Sequence, residues 1–401
     1  MAAAIDLAEA DLVVLNTCTV TASADDDVRL AVRRIHRDRP ETKILVTGCY
    51  AQRAPEELAV LPGVEWVVGN SHKVAIPEIV MGSAEYHGEI HVGEIGCEFL
   101  AAPVDDALGD RARPNLKVQD GCSNKCSFCI IPSVRGRSRS AEAEQVIAQV
   151  GSLAAKYREV VLSGINLGRW GRDLPGRLRL VDLVRRLLDE TPVERLRLSS
   201  VEPMDFSDAL LELMATSPRI AKHVHAPLQS GSDIVLRRMH RKYRPRHYAD
   251  RILKARALMP ECAFGADVMT GFPGETDAEF EDSRSFIESL PFTYLHVFTY
   301  SARPGTPAAD APNQVPMHVR RERTQILRAL AEAKNRAFRQ QFVGRSVSVV
   351  SLMSGRTGLS ENYLNVTFAS PRQANRIENI QIGGLTADGL YESGMLQVLP
   401  S

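Results

Sequence analysis

Three cysteines carry the strongest chemical signal in this chain. They stand as Cys122-x3-Cys126-x2-Cys129 within Gly121-Cys122-Ser123-Asn124-Lys125-Cys126-Ser127-Phe128-Cys129-Ile130-Ile131-Pro132. Thiolate sulfur suits zinc or an iron–sulfur cluster. Structural zinc takes four ligands, usually in two pairs, and here no fourth cysteine or histidine lies nearby in sequence. Three thiolates on a 4Fe-4S cluster leave one iron open. Such an iron can chelate the amino and carboxylate groups of S-adenosylmethionine. One-electron reduction then breaks the sulfonium C–S bond and yields a 5′-deoxyadenosyl radical. Zinc or a purely structural role is the alternative.

The elements around the motif must hold this loop. LKVQ (116–119) reads as the strand that delivers it. Further strands are expected at EVVLSGI (159–165), RLRLSS (195–200), HVHAPL (223–228), AFGADVM (263–269) and YLHVFTY (294–300). Helical patterns fall between them at 141–156, 179–189, 207–215, 232–257 and 276–289. Six βα repeats predict a partial (β/α)6 barrel, whose chemistry belongs at the C-terminal ends of the strands. Ahead of it, DLVVLN (11–16), KILVTG (43–48) and VEWVVGN (64–70) read as strands and 24–37 as a helix, an N-terminal α/β domain. The polar stretch 82–114 suits a linker or an edge hairpin. A helix is expected over 319–341. After Gly344, SVSVVSLMS, YLNVTFAS, ANRIENIQIGG and MLQVLPS alternate apolar and polar residues, which predicts a small antiparallel β-barrel. The fold class is α/β, with expected domains over 1–82, a linker over 83–110, 111–340 and 341–401.

With 401 residues, the chain has room for about two to four domains. Hydrophobic residues make up 44% and charged residues 24%, which excludes long disorder and collagen-like repeats. No apolar run reaches the roughly 20 residues of a membrane span. The N-terminal MAAAIDLAEADLVV has no basic flank and does not read as a signal peptide. A cytoplasmic location and no membrane partner are expected. The seven cysteines then read as metal ligands, catalytic groups or core residues rather than disulfides. The 49 basic and 49 acidic residues balance globally but not locally. Seven basic residues face one acid over 111–139, nine face one over 237–256, and eight face two over 320–345. Such segments read either as a face for a phosphate backbone or as solvated helices.

Taken together, these motifs resemble the radical S-adenosylmethionine methylthiotransferases, over nearly the whole chain. Asn16-Thr17-Cys18-Thr19-Val20-Thr21 and Thr47-Gly48-Cys49-Tyr50-Ala51-Gln52 are similar to the two later cysteine motifs of that family's N-terminal domain. Leu198-Ser199-Ser200-Val201-Glu202-Pro203, Pro227-Leu228-Gln229-Ser230-Gly231-Ser232, Gly271-Phe272-Pro273-Gly274-Glu275-Thr276 and Tyr300-Ser301-Ala302-Arg303-Pro304-Gly305-Thr306-Pro307 are similar to motifs of its radical core. Arg135-Gly136-Arg137-Ser138-Arg139-Ser140 resembles the branch acting on threonylcarbamoyladenosine in tRNA. The branches acting on isopentenyladenosine and on a ribosomal protein carry different residues after that Arg-Gly.

The resemblance implies two uses of S-adenosylmethionine. One molecule methylates sulfur held at an auxiliary 4Fe-4S cluster with Cys18 and Cys49 among its ligands. The other is cleaved at the cluster of Cys122, Cys126 and Cys129, and the radical opens the C2–H bond of the target adenine. Phe128, Gly164, Gln229 and Ser230 become candidate cofactor contacts, with Asp267 and Glu202 as further candidates. The implied partners are the anticodon stem-loop of tRNA and a flavodoxin- or ferredoxin-like electron donor. The C-terminal barrel resembles the RNA-binding TRAM domain, with Tyr363 and Phe368 as stacking candidates and Phe368 also fitting the barrel core. The chain departs from the family at one point. The family's first auxiliary cysteine sits well upstream of Asn-Thr-Cys, whereas 17 residues precede Cys18 here. A first strand and helix are therefore expected to be missing, leaving an unpaired sheet edge. Cys97 is the spare candidate for a third ligand, and Cys262 reads as a core residue. A protein that holds tRNA and the radical cluster but transfers no sulfur is the competing reading.

Overall fold

The computed structural model describes residues 9–82, 87–99 and 112–394. Arg111, most of the expected linker and the terminal MLQVLPS stretch lie outside the described residues. The chain divides into two units. One comprises 1–100, 121–137 and 301–311, and the other 101–120, 138–300 and 312–401.

In the first unit, apolar runs form the parallel strands β1 (Leu12–Thr17), β2 (Lys43–Gly48) and β3 (Val64–Gly69). Helix α1 (Ala22–Asp38) crosses between β1 and β2. Its N-cap Thr21 accepts a hydrogen bond from the Ala24 amide at 3.2 Å, and His36 and Arg37 occupy its last turn. Val28, Val32 and Ile35 recur at helical spacing and pack against Ile44 and Val46. Short helices α2 (Cys49–Arg53) and α3 (Pro55–Ala59) fill the connection to β3, and α4 (Ile76–Met81) follows it. A fourth strand, β4 (Glu89–His91), adds parallel to β3 in the region read as a linker or hairpin. Three residues are too few for a period to register in sequence. Among the described residues β1 is an edge strand, and Val14 is 49% exposed on it. The cluster loop and the short helix α5 (Ile131–Arg135) belong to this unit.

The second unit is built on β5 (Asn115–Asp120), with the two-residue antiparallel β6 (Arg139–Ser140) at its edge. Helix α6 (Ala143–Ala154), β7 (Glu159–Gly164), α7 (Leu180–Glu190), β8 (Arg195–Leu198), α8 (Asp208–Thr216) and β9 (His223–His225) follow in alternation. The sequence pattern of one helix over 232–257 is corrected. The chain forms α9 (Asp233–Arg238) and α10 (Pro245–Leu258) instead. His240 at φ 57° turns the chain, and Pro245 starts a new helix because its fixed φ suits a first turn but not an interior. Then come β10 (Ala263–Thr270), α11 (Asp277–Ser289), β11 (Tyr294–Thr299) and α12 (Met317–Gln340). The strands pair in parallel as β5-β7-β8 and β9-β10-β11, joined by a bridge between Leu196 and Ile220. This is the expected partial (β/α)6 barrel.

A closed five-stranded barrel ends the unit: β12 (Ser346–Ser351), β13 (Thr357–Ser360), β14 (Asn365–Thr367), β15 (Ile377–Leu385) and β16 (Leu390–Glu392). Phe338 and Phe342 at the end of α12 join Val349, Val366, Phe368 and Ile380 in its core. β13 and β16 are three to four residues long and gave no separate pattern. Arg197 fastens this barrel to the sheet by donating to the carbonyls of Ser360 at 3.0 Å and Glu361 at 3.2 Å.

Candidate active site

The cluster loop leaves β5 through a turn that only glycine accommodates easily. Gly121 has φ 66°, and a Cβ there would stand 2.0 Å from the Arg137 carbonyl oxygen. The Cys122 amide then donates to the Gly136 carbonyl at 3.0 Å, so the loop returns beside its own start. The Cys129 amide closes a turn onto the Cys126 carbonyl at 3.1 Å. The Ala308 amide donates to the Ser127 carbonyl at 2.9 Å, which pins the loop to the stretch after Arg303-Pro304-Gly305-Thr306. Cys122, Cys126 and Cys129 form no disulfide, and each is partly exposed. Three accessible thiols on one tight loop, with the Asn124 amide donating to the Cys122 sulfur at 3.4 Å, fit a three-thiolate cluster with an open iron.

Cys18 and Cys49 sit just past the ends of the neighbouring strands β1 and β2, where Thr17 pairs with Gly48. Gly48 makes this approach possible: at φ 104°, an added Cβ would lie 2.4 Å from the Thr17 carbonyl oxygen. Cys18 is exposed and accepts from the Val20 amide at 3.4 Å. Cys49 is buried, and its sulfur receives Arg135 Nε at 3.1 Å and Asn70 Nδ2 at 3.6 Å. Asn70 also donates to the Val134 carbonyl at 2.8 Å, and Cys49 packs with Ile130 and Val134. One short helix after the cluster loop thus bears on the Cys49 sulfur. In sequence, Arg135 reads as part of a family motif and Asn70 as the end of a strand. The contact to a distant cysteine has no local signature. Cys97 is exposed after β4. Cys262 is buried in the second unit, and burial pushes its thiol up to about 12, as suits a core residue.

The other expected cofactor contacts, Gly164, Gln229, Ser230, Glu202 and Asp267, lie in the second unit. Gly164 ends β7 against Gln119, whose Cβ would be 2.8 Å from a Cβ at 164. Gln119 Oε1 in turn accepts the Asn166 amide at 2.6 Å. Gln229 holds φ 66°, donates its amide to the Asp267 carbonyl at 2.8 Å and accepts the Met269 amide at 2.9 Å. The Ser230 hydroxyl is buried against Ser283 at 2.9 Å, so its side chain is held by α11. Phe128 is half-buried on the cluster loop. Glu202 is paired with Arg241.

Residues 116–287 match the Radical SAM superfamily, and residues 2–69 match an uncharacterized protein family, UPF0004. A threonylcarbamoyladenosine tRNA methylthiotransferase from Bacillus subtilis (strain 168) is 38% identical over 377 residues, covering 90% of this chain and 82% of that protein. The chain belongs to the radical S-adenosylmethionine methylthiotransferases. A tRNA-2-methylthio-N(6)-dimethylallyladenosine synthase from Syntrophotalea carbinolica is 34% identical, covering 92% of this chain and 85% of that protein. In fold, the chain is similar to a radical S-adenosylmethionine methyltransferase from Kitasatospora setae with bound cobalamin and a 4Fe-4S cluster. The TM-score is 0.53 at 18% identity, covering 76% of this chain and 64% of that one. This methylthiotransferase is therefore an enzyme that uses a 4Fe-4S cluster and S-adenosylmethionine.

The methylthiotransferase spends much of its local positive charge internally. Within 237–256, Arg238 pairs with Glu279, Arg241 with Glu202, Arg244 with Asp233, and Arg251 and Lys254 with Asp208. Within 320–345, Arg320 donates to the carbonyls of Val315 and Tyr300, Arg323 pairs with Glu275, and Arg339 donates to those of Thr386 and Gly389. All three are buried. Part of the charge of these two segments is thus engaged within the protein, while Arg237, Lys242, Arg246, Arg321, Arg328, Arg336 and Arg345 stay exposed. On the cluster loop, Lys125 and Arg137 are exposed. Of the stacking candidates, Phe368 is core, 6% exposed. Tyr363 stacks on His223 with centroids 4.3 Å apart, so one of its faces is occupied by the protein itself. No helix among the described residues is long and apolar enough to cross a membrane.

Proposed function

We propose that this chain converts N6-threonylcarbamoyladenosine at tRNA position 37, beside the anticodon, to its 2-methylthio derivative. One observation carries the reading: Arg135-Gly136-Arg137-Ser138-Arg139-Ser140 follows the cluster loop in the form of the threonylcarbamoyladenosine branch. The 38% identity to a relative named for that substrate supports it. Cys122, Cys126 and Cys129 hold the radical cluster, and Cys18 and Cys49 contribute to an auxiliary one. When bound, the radical cluster and S-adenosylmethionine supply the 5′-deoxyadenosyl radical that takes hydrogen from adenine C2. The chain's own residues prepare that chemistry. Gly121 turns the loop, and Arg135 and Asn70 orient the Cys49 sulfur by donating to it. Phe128, Gly164, Gln229 and Ser230 are assigned to the cofactor, the last through its backbone because its hydroxyl is engaged. The anticodon stem-loop is the partner, a flavodoxin- or ferredoxin-like protein the electron donor, and the cytoplasm the location.

Nucleoside mass spectrometry of tRNA from cells with and without the gene tests the substrate. The expected result is loss of 2-methylthio-N6-threonylcarbamoyladenosine, and loss of the isopentenyl analogue instead would refute the assignment. Cys126→Ala should abolish 5′-deoxyadenosine formation, and unchanged cleavage would refute the cluster assignment. A second reading, a protein that binds tRNA and the radical cluster without transferring sulfur, is favoured by one observation: only Cys18 and Cys49 match the auxiliary motifs. Iron per anaerobically reconstituted chain separates the two, about eight for two clusters and about four for one.

A further inference from the structure

One cluster of titratable side chains takes no part in the chemistry above. It lies on the inner face of β9, β10 and β11, in the second unit. The register sets Gly265 between His225 and Tyr294, Asp267 beside His296, and Met269 beside Phe298. The opposite face of β10 belongs to the helices: Thr270 bonds Thr324 of α12 at 2.7 Å, and Arg256 of α10 lies 4.7 Å over Phe264. Gly265 has a specific reason to be glycine, since a Cβ there would fall 2.0 Å from the Tyr294 ring. That space lets Tyr294 Oη lie 2.7 Å from His223 Nε2 and 2.9 Å from His225 Nδ1. Asp267 Oδ1 then meets His225 Nε2 at 3.2 Å and His296 Nδ1 at 3.1 Å.

The network is graded in exposure. At its buried end, His223 is 5% exposed and capped by Tyr363. At its open end, the His296 side chain is 49% exposed and Phe298 is 45% exposed beside it. Asp267 stays charged: burial opposes ionisation, but hydrogen bonds from His225 and His296 hold its carboxyl well below the usual range. Among the described residues, Asp267 Oδ2 and His296 Nε2 have no hydrogen-bond partner. A fixed carboxylate, a half-open imidazole and an exposed aromatic ring on one strand face form a polar docking surface with its acceptor and donor preset.

We propose that His296, Asp267 and Phe298 receive the modified adenosine and select a hydrogen-bonding, carboxylate-bearing N6 substituent over an apolar one. The inference rests on the threonylcarbamoyladenosine reading above. Asp267 Oδ2 accepts the carbamoyl N–H. The His296 ring donates Nε2–H to the substituent's carboxylate. Phe298 stacks on the base. An alkyl substituent would leave both polar groups buried and unpaired, which is how polar sites reject apolar analogues.

The test uses the full reconstituted chain and three anticodon stem-loops that differ only at position 37: threonylcarbamoyladenosine, isopentenyladenosine and adenosine. Binding by anisotropy and kcat/KM are measured for the wild type, His296→Phe and Asp267→Asn. The wild type should favour the threonylcarbamoyl loop. Each variant should lose about tenfold or more of that preference, read as the ratio of the threonylcarbamoyl to the plain loop in binding and in kcat/KM. His296→Phe keeps an aromatic ring beside Phe298, and it carries the test if melting shows that Asp267→Asn does not fold. A wild-type preference that survives in the folded variants overturns this inference and leaves the functional reading standing. A wild type with no such preference overturns both. Stoichiometric zinc that His296→Phe loses would also overturn it, because a cation would then occupy the same donors.

Discussion

Glu159→Gln should be the most damaging single-atom change in the second unit. Glu159 opens β7 and is fully buried. Its carboxylate accepts Arg197 Nε at 2.8 Å and Nη2 at 3.2 Å, Arg113 at 3.0 Å and Arg195 at 3.5 Å. The side chains of Arg195 and Arg197 are 5% and 3% exposed. An amide of the same shape leaves these two guanidinium groups buried without their counter-charge. Breaking a buried pair in this way costs about 3–5 kcal/mol, a large share of a domain's net stability. For a unit of this size that lowers the melting temperature by roughly 6–20 °C. Both arginines also reach the C-terminal barrel, Arg195 through Ser348 at 2.5 Å and Arg197 through the Ser360 carbonyl. The barrel should therefore loosen at the same time, visible as faster proteolysis within 341–394. Glu194→Gln is the control, because its pair with Arg158 is half-exposed and should be worth under about 1 kcal/mol. The pH arm has a definite sign. Burial works against the Glu159 charge, but Arg197, Arg113 and Arg195 hold its pKa below the ordinary 4.5. Its contribution is therefore present above that ordinary value and is lost as pH falls through the lower folded-state pKa. Calorimetry of wild type and variant should converge at acid pH. A Glu159→Gln melt matching that of Glu194→Gln at neutral pH would refute the reasoning.

Two further outcomes follow from local geometry. Gly48→Ala places a Cβ 2.4 Å from a backbone oxygen at φ 104°, and should displace Cys49; iron content and electron paramagnetic resonance should show the auxiliary signal reduced and the Cys122/Cys126/Cys129 signal retained. Phe368→Ala empties the core of the C-terminal barrel and should cost about 3–5 kcal/mol, read as a lowered unfolding midpoint in urea.

The elements with strong periodicity were legible in sequence, and the elements set by tertiary pairing were not. Strand β2 matches KILVTG to the residue, and α12 falls within two residues of its expected bounds. β4, β13 and β16 are three or four residues long and owe their existence to a neighbour's hydrogen bonds. The Cys122/Cys126/Cys129 loop was legible because its ligands are adjacent in sequence. Its support was not: Asn70 and Arg135 reach Cys49 across 21 and 86 residues. The His225–Asp267–His296 set was hidden for a similar reason. Each member sits in an unremarkable strand, and only the register of β9, β10 and β11 brings them to one face.

The charge balance shows why composition alone misleads here. Dense Arg segments in a neutral chain suggest a hidden polyanion site. In the structure, most of those guanidinium groups neutralise buried or half-buried carboxylates and backbone carbonyls that the repeated βα connections leave behind. Arg suits that task because its planar fork makes several directed hydrogen bonds while carrying a charge that cannot be titrated away. Phosphate contact then falls to the cations that stay exposed, among them Lys125 and Arg137 on the cluster loop and Arg321 and Arg336 on α12. Backbone contacts of that kind carry no base identity, so choosing a modified base has to rest on contacts to the base itself. That requirement makes a polar, aromatic-flanked strand face such as that of Asp267, His296 and Phe298 the kind of surface such an enzyme needs.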